Sequence, residues 1–252
     1  NYEEYDYIPG NQPIWHQALA HSRGFALLES KGYTTLVFEE ISKLHQTLPD
    51  IEADYLFKFN YQPGEDYGHL FDEYGMLVAD GTMLSAFSKY YKISGQALND
   101  HRNFLLLVQE ELPSLEEYPA PRFVYAHLMI PHTQFLFTKD GDLVDPGFHL
   151  DWTYYEGYHA YAIKYAEQLI SGILANADPD KPPVIILQSD HGARIPANDT
   201  QLKNFPPEFK RDILYALYLP GYDISTLPQD INPINTLPLV FNHYLGENIP
   251  LQ

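Results

Sequence analysis

The sequence predicts one α/β domain over residues 1–252, with a mostly parallel sheet and helices on both of its faces. Short apolar or β-branched runs alternate along the chain with longer segments of helical spacing. Two of these runs are almost continuously apolar and follow proline, which is typical of strands buried on both faces. A chain of 252 residues is also long enough to form a sizeable core.

The first half of the chain contains one helix–strand unit followed by a less regular region. Residues 14–31 have helical spacing, and Gly32 is expected to end this helix. Residues 33–38 are β-branched and aromatic, so they are predicted to form a strand. Residues 39–80 contain several prolines and glycines, and we expect irregular structure with short helices, as in an insertion or a lid. Further helices are predicted at residues 82–91 and 96–112.

The second half contains the clearest strands. Residues 122–130 and 183–188 are continuous apolar runs, and both are predicted to form buried strands. The remaining predicted elements are a turn at residues 140–145, a long helix at 154–177, a strand at 213–219 and a helix at 232–245 that Gly246 ends.

Composition excludes several classes of function. The 15 basic and 34 acidic residues give a net charge of −19, which argues against nucleic acid and anionic lipid as partners. An anionic substrate remains compatible with this charge because a bound divalent cation reverses the local field. The chain has no cysteine, so thiolate metal sites and disulfides are excluded. It also has no apolar run of about 18 residues, so no membrane span is expected in this chain.

Polar side chains that suit metal and anion binding follow the two clearest strands. His132 comes after the strand at residues 122–130, and Asp190, His191 and Arg194 follow the strand at 183–188. Ligands of open α/β sheets bind at the carboxyl ends of strands. Asp190 and His191 offer an oxygen and a nitrogen ligand to a divalent cation, and Arg194 could bind a phosphate or sulfate oxygen. The alternative is that Asp190 caps a helix and His191 is a surface residue.

These segments resemble a known family. Residues 182–194, Pro-Pro-Val-Ile-Ile-Leu-Gln-Ser-Asp-His-Gly-Ala-Arg, resemble a strand–loop signature of the sulfatase-like branch of the alkaline phosphatase superfamily. This branch includes arylsulfatases, lipoteichoic acid synthases and phosphoethanolamine transferases. Residues 125–132, Tyr-Ala-His-Leu-Met-Ile-Pro-His, are similar to the family's strand that ends in a substrate-side histidine. The resemblance covers most of the chain from Ala18 onward, including a closing helix like that of bacterial membrane-anchored members.

The resemblance implies a metal-dependent enzyme that hydrolyses or transfers a phosphate or sulfate ester. Asp190 and His191 would be metal ligands, and His132 would contact the transferred group or protonate the leaving oxygen. The cation would be Mn, Mg, Ca or Zn, because oxygen and nitrogen ligands do not choose among them. The substrate would be lipid-linked or a sugar ester among other options.

The sequence also departs from the family pattern. No strand ending in an acidic residue opens the chain, and no Cys/Ser-x-Pro-x-Arg motif is present; Thr34 and Thr35 are expected to be buried in a strand. We therefore expect the nucleophile, the first metal-binding acid and membrane helices upstream, which would anchor the intact protein at the extracytoplasmic face of a bacterial membrane. This fragment would then be inactive alone. The alternative is a non-catalytic sulfatase-like domain that binds an anionic ligand as a sensor or scaffold.

Other candidate sites have simpler interpretations. Asp140, Asp142 and Asp145 could bind calcium, but a solvated turn is favoured because the twelve-residue loop is incomplete. His127 is expected to pack against the sheet, and His243 to have a structural role. A cluster of aromatic residues could line a lipid or sugar pocket, and core packing explains it equally well. The cluster consists of Trp152, Tyr154, Tyr155, Tyr158 and Tyr161.

Overall fold

A computed structural model describes seven segments of the chain. They are residues 22–41, 52–60, 95–132, 135–144, 152–193, 207–228 and 231–252. The predicted helix at residues 82–91, the first part of the helix at 14–31 and Arg194 lie outside these segments. The chain divides into two compact units. The first comprises Asn1–His132 with Leu143–Phe148, and the second comprises Thr133–Asp142 with His149–Gln252.

The first unit is built around a three-stranded parallel sheet. Among the described residues, its helices are α1 (Arg23–Ser30) and α2 (Gly95–Glu111), and its strands are β1 (Thr34–Ile41), β2 (Tyr55–Asn60) and β3 (Arg122–His127). The strand order is β2-β1-β3, with β1 parallel to both neighbours. The α/β class and the mostly parallel sheet are therefore confirmed. The expectation of irregular structure is wrong for Tyr55–Asn60, because this segment pairs along β1 from Leu36 to Ile41.

The central strand β1 is covered on both faces. Side chains alternate between the two faces of a strand, yet Thr35, Leu36, Val37 and Phe38 all have no exposed surface. Phe38 stacks on Phe57 of β2, with ring centroids 4.1 Å apart. Burial on both faces explains why this strand has a continuous apolar run instead of alternation. The predicted burial is confirmed for Thr35, whereas Thr34 is only half-buried.

Helix α1 ends as predicted. The Gly32 N–H donates to the Glu29 carbonyl, and the Tyr33 N–H donates to the Leu28 carbonyl. Gly32 has a φ of 77°, which glycine adopts without steric cost. The two hydrogen bonds and the left-handed residue form a Schellman motif, which satisfies the last carbonyls of the helix and turns the chain into β1.

In the described part of the second unit, two α-helices accompany an antiparallel strand pair. Its elements are α3 (Trp152–Asn176), β4 (Ile185–Gln188), β5 (Tyr215–Tyr218) and α4 (Thr236–Leu245). Strands β4 and β5 are antiparallel, and Ile185 pairs with Tyr218. Three short 3₁₀ helices lie at Pro207–Lys210, Ile224–Thr226 and Pro233–Asn235. Helix α4 ends at Gly246, which has a φ of 68°, as the sequence predicts.

Aromatic side chains on α3 pack against the segment 135–144. Tyr158 is completely buried and contacts the rings of Phe135 and Phe137, while Tyr161 stacks on Phe137 at 4.8 Å. Core packing therefore accounts for Tyr155, Tyr158 and Tyr161 of the aromatic cluster, since Tyr155 also contacts Phe135. Within the described segments, no helix is both long and apolar enough to cross a membrane.

Candidate functional site

The loop that follows β4 contains Asp190 and His191, and hydrogen bonds to residues 209 and 214 anchor it at both of its ends. The Ser189 N–H donates to the Leu214 carbonyl at 2.9 Å, and the Leu214 N–H donates to the Ser189 hydroxyl at 2.9 Å. The Ala193 N–H donates to the Phe209 carbonyl at 2.8 Å. Asp190 and His191 thus lie on a short span of backbone between two fixed points, which limits how far either side chain can move.

Asp190 and His191 are brought together by the bends of this loop. Asp190 Oδ1 accepts a hydrogen bond from the His191 backbone N–H at 2.9 Å. Asp190 Oδ2 lies 3.5 Å from His191 Nε2. The Asp190 side chain is 86% exposed and that of His191 is 30% exposed. The alternative in which Asp190 caps a helix beginning at His191 is wrong, because residues 191–193 are not helical.

The His191 ring has a defined orientation. Its Nδ1 lies 2.6 Å from the Gly192 carbonyl oxygen. A carbonyl oxygen only accepts hydrogen bonds, so Nδ1 carries a proton in this contact, and in the neutral ring it is the protonated nitrogen. The lone pair of the neutral imidazole is then on Nε2, the atom nearest to Asp190 Oδ2. Fixing one ring nitrogen with a hydrogen bond is how proteins prepare the other nitrogen for a metal ion.

The separation of these two atoms fits a shared cation. Ligands about 2.1 Å from a tetrahedral cation lie about 3.4 Å apart, close to the distance between Oδ2 and Nε2. The exposed carboxylate also pays a small desolvation cost for binding an ion. Among the described residues, no group of three or more His, Cys, Asp or Glu side chains is placed to hold a metal ion. The described donors are therefore a pair, and a pair holds a cation weakly.

The other predicted site residues are not part of this pair. His132 is half-buried and follows β3 in the first unit, directly after the cis Ile130–Pro131 bond. Asp190 and His191 belong to the second unit. Arg194 lies outside the described segments. The convergence of His132 and Arg194 on the Asp190–His191 pair remains a prediction.

The sequence analysis missed Glu39. Strand β1 continues to Ile41, three residues beyond the predicted end, and therefore contains Glu39 close to its carboxyl end. The strand ends at Ile41, so it does not end in an acidic residue, in agreement with the expectation from the sequence. Glu39 is only 1% exposed and pairs in register with His127 of β3. An acidic residue directly after the apolar run Leu36–Phe38 was the signal for this position, because such residues mark the ligand edge of parallel sheets.

The remaining candidate sites have structural roles in the described segments. The Thr138 hydroxyl accepts from the backbone N–H groups of Asp140 and Asp142, so these two residues lie in an exposed turn, while Asp145 lies outside the described residues. His127 is half-buried and stacks on Tyr125 at 6.5 Å. His243 contacts the rings of Tyr222 and Tyr244, which agrees with the structural role predicted for it.

Comparison with known proteins found no relatives. No protein-family model matches the chain, and searches of curated proteins and of solved structures also gave no match. The resemblance to sulfatase-like enzymes therefore rests on the motifs of the sequence, and functional inference rests on the geometry of the Asp190–His191 pair.

Proposed function

We propose that this chain supplies part of a divalent metal site in an enzyme that hydrolyses or transfers phosphate or sulfate esters. The main support is the 3.5 Å separation of Asp190 Oδ2 and His191 Nε2, with His191 Nδ1 hydrogen-bonded to Gly192. The pair follows β4, but β4 pairs antiparallel with β5, so the preference of ligands for the carboxyl ends of parallel strands does not add to this support. The resemblance of residues 182–194 to sulfatase-like enzymes points the same way.

Each proposed site residue has a chemical role in this scheme. Asp190 contributes an anionic oxygen, and His191 contributes a neutral nitrogen that its bond to Gly192 keeps available. Arg194 would bind two oxygens of the transferred group, and His132 would contact that group or protonate the leaving oxygen. When bound, Mn, Mg, Ca or Zn would supply Lewis acidity and positive charge to the ester oxygens. That charge matters because the chain itself has a net charge of −19.

The proposed setting of the intact protein follows from the family resemblance. We place it at the extracytoplasmic face of a bacterial membrane, with a lipid-linked or sugar ester as its substrate. The nucleophile and the first metal-binding acid are not among the residues assigned to the site. On this proposal the chain alone binds metal weakly and does not turn over substrate.

The first test is metal binding by this chain. We expect Mn²⁺ to broaden the NMR signals of His191 selectively, with saturating behaviour in a titration. Asp190→Asn and His191→Gln should each weaken binding by about tenfold or more, because each removes one of two ligands. The matched controls are Asp180→Asn and His243→Gln, which change the same residue types elsewhere in the second unit and should leave the titration unchanged.

Equal titrations for the site variants and the controls would overturn the proposal. Such a result would mean that Mn²⁺ binds to the acidic surface in general.

The second test is activity of the intact protein on nitrophenyl phosphate and nitrophenyl sulfate. We expect turnover of one of them, loss of turnover with EDTA, and recovery with one of the four cations. Asp190→Asn should abolish that recovery. Metal-dependent binding of inorganic phosphate or sulfate without turnover of either ester would support the non-catalytic alternative and reject the enzyme.

A further inference from the structure

Two asparagine side chains form hydrogen bonds to the backbone of residues 249–252. Asn235 directly precedes α4, and Asn242 lies within it. Asn242 Nδ2 donates to the Ile249 carbonyl at 2.9 Å, and Asn242 Oδ1 accepts from the Ile249 N–H at 2.7 Å. Asn235 Nδ2 donates to the backbone oxygen of Gln252 at 2.8 Å, and Asn235 Oδ1 accepts from the Gln252 N–H at 2.8 Å. Each carboxamide thus closes a ring with both backbone groups of one residue. We call residues 249–252 the C-terminal strap.

The spacing of the two asparagines matches that of an extended chain. Asn235 and Asn242 are seven residues apart, which corresponds to about two turns and a rise of about 10.5 Å along a helix. Ile249 and Gln252 are three residues apart, which spans about 10 Å in an extended backbone. Both carboxamides can therefore pair with the same extended segment without distorting it.

The strap is held by its backbone more than by its side chains. Pro250, Leu251 and Gln252 are exposed, and Leu251 is 51% exposed despite being apolar. Asn235, in contrast, is only 6% exposed. It occupies the N-cap position of α4, but its side chain forms no hydrogen bond to that helix. Its carboxamide is used for Gln252 instead, although asparagine at this position usually caps its own helix.

The residue after Asn235 connects the strap to the end of β4. The Thr236 hydroxyl lies 2.9 Å from Gln188 Oε1, 2.8 Å from the Tyr215 hydroxyl and 2.8 Å from the Pro233 carbonyl. Gln188 is the last residue of β4 and Tyr215 is the first residue of β5. Asn235, the buried residue that holds Gln252, is therefore adjacent in sequence to a hydrogen-bond network at the point where the Asp190–His191 loop begins.

We propose that Asn235 and Asn242 form a clasp that recognises extended backbone independently of its side chains, and that the strap in this clasp fixes the carboxyl end of β4 through Thr236. The clasp requires an N–H group at residues 249 and 252, and it tolerates side-chain changes at residue 252. The strap is a positioning element for the Asp190–His191 loop. This inference does not depend on metal binding or on catalysis.

The decisive comparison is between Gln252→Pro and Gln252→Ala in the full chain without metal. Gln252→Pro removes the N–H that Asn235 Oδ1 accepts, whereas Gln252→Ala changes only an exposed side chain. We expect NMR to show side-chain amide exchange of Asn235 about tenfold faster in Gln252→Pro, and within about twofold of the parent in Gln252→Ala. The Ser189 amide resonance should shift in Gln252→Pro alone.

A second comparison tests the asparagines. Asn242→Ala should accelerate exchange of the Ile249 amide by about tenfold. The matched control is Asn232→Ala, because the exposed Asn232 side chain accepts the local Ile234 N–H. Equal exchange in Gln252→Pro and Gln252→Ala would overturn backbone recognition. Faster Asn235 exchange with an unshifted Ser189 amide would overturn the link to β4.

Discussion

At the scale of single residues, glycines define how closely α3 approaches the turn before it. Gly141 has a φ of 88°, and a Cβ built on it would lie 2.8 Å from Tyr161 Cε2. Gly157 lies within α3, and a Cβ there would meet the Lys139 backbone nitrogen at 3.5 Å, an ordinary contact distance. The two glycines occupy the same packing interface, but only Gly141 requires the absence of a side chain.

This contrast predicts opposite effects of two alanine substitutions. Gly141→Ala should destabilise the protein by about 1–3 kcal/mol, because alanine is strained at positive φ and its Cβ collides with the Tyr161 ring. Gly157→Ala should be neutral or stabilising by up to about 1 kcal/mol, since alanine favours a helix interior. Urea unfolding measures both free energies. A Gly141→Ala variant as stable as Gly157→Ala would contradict the close contact.

At the scale of elements, hydrogen bonds between Thr35 and Asp54 connect β1 and β2 at the amino-terminal ends of the two strands. Asp54 Oδ2 accepts from the Thr35 N–H at 2.8 Å and from the Thr35 hydroxyl at 3.0 Å. The Asp54 N–H donates to the Thr35 hydroxyl at 3.0 Å. Asp54 directly precedes β2, so its hydrogen bonds with Thr35 set where β2 begins to pair with β1. Parallel strands far apart in sequence need such a signal, because no tight turn fixes their register.

Replacing Thr35 with valine tests the hydrogen bonds between Thr35 and Asp54. The substitution keeps the shape of the buried side chain and removes the hydroxyl, so two of the three hydrogen bonds are lost. We expect a loss of about 1–3 kcal/mol in the free energy of unfolding. In a double-mutant cycle with Asp54→Ala, the two losses should be less than additive because the residues share their bonds. Full additivity would show that Thr35 and Asp54 stabilise the protein independently.

At the scale of the whole molecule, burial of tyrosine side chains makes the free energy of unfolding fall as the pH becomes alkaline. Burial, with a smaller contribution from Tyr161, raises the pKa of Tyr165 well above its usual value. Burial also raises the pKa of Tyr155. A raised pKa in the folded state means that stability is fully present below about pH 10 and is lost as the pH rises, because the unfolded chain ionises first.

Tyr165→Phe should therefore flatten the fall of stability above about pH 10. The expected change in slope is up to about 1.4 kcal/mol per pH unit, the value for one proton. Denaturant unfolding between about pH 6 and 12 gives this slope, and the region below about pH 8 serves as the internal reference because no tyrosine titrates there. An unchanged slope would show that Tyr165 ionises alike in both states.

Local sequence patterns were enough to predict the α/β class, the long helix α3, the strands β3 and β4 and the glycine ends of α1 and α4. These features depend on local patterns, namely apolar runs, helical spacing and the preference of glycine for positive φ. The sequence also identified Asp190 and His191 as candidate ligands, because they directly follow an apolar run.

The pairing of these elements, in contrast, depends on contacts between residues that are distant in the chain. Residues 55–60 have no clear local strand pattern, and they form a strand because their backbone pairs with that of β1. The antiparallel order of β4 and β5, the buried position of Glu39 and the clasp around residues 249–252 likewise depend on residues distant in sequence. Contacts between distant residues depend on the packing of the complete chain, and no local window of sequence contains that information.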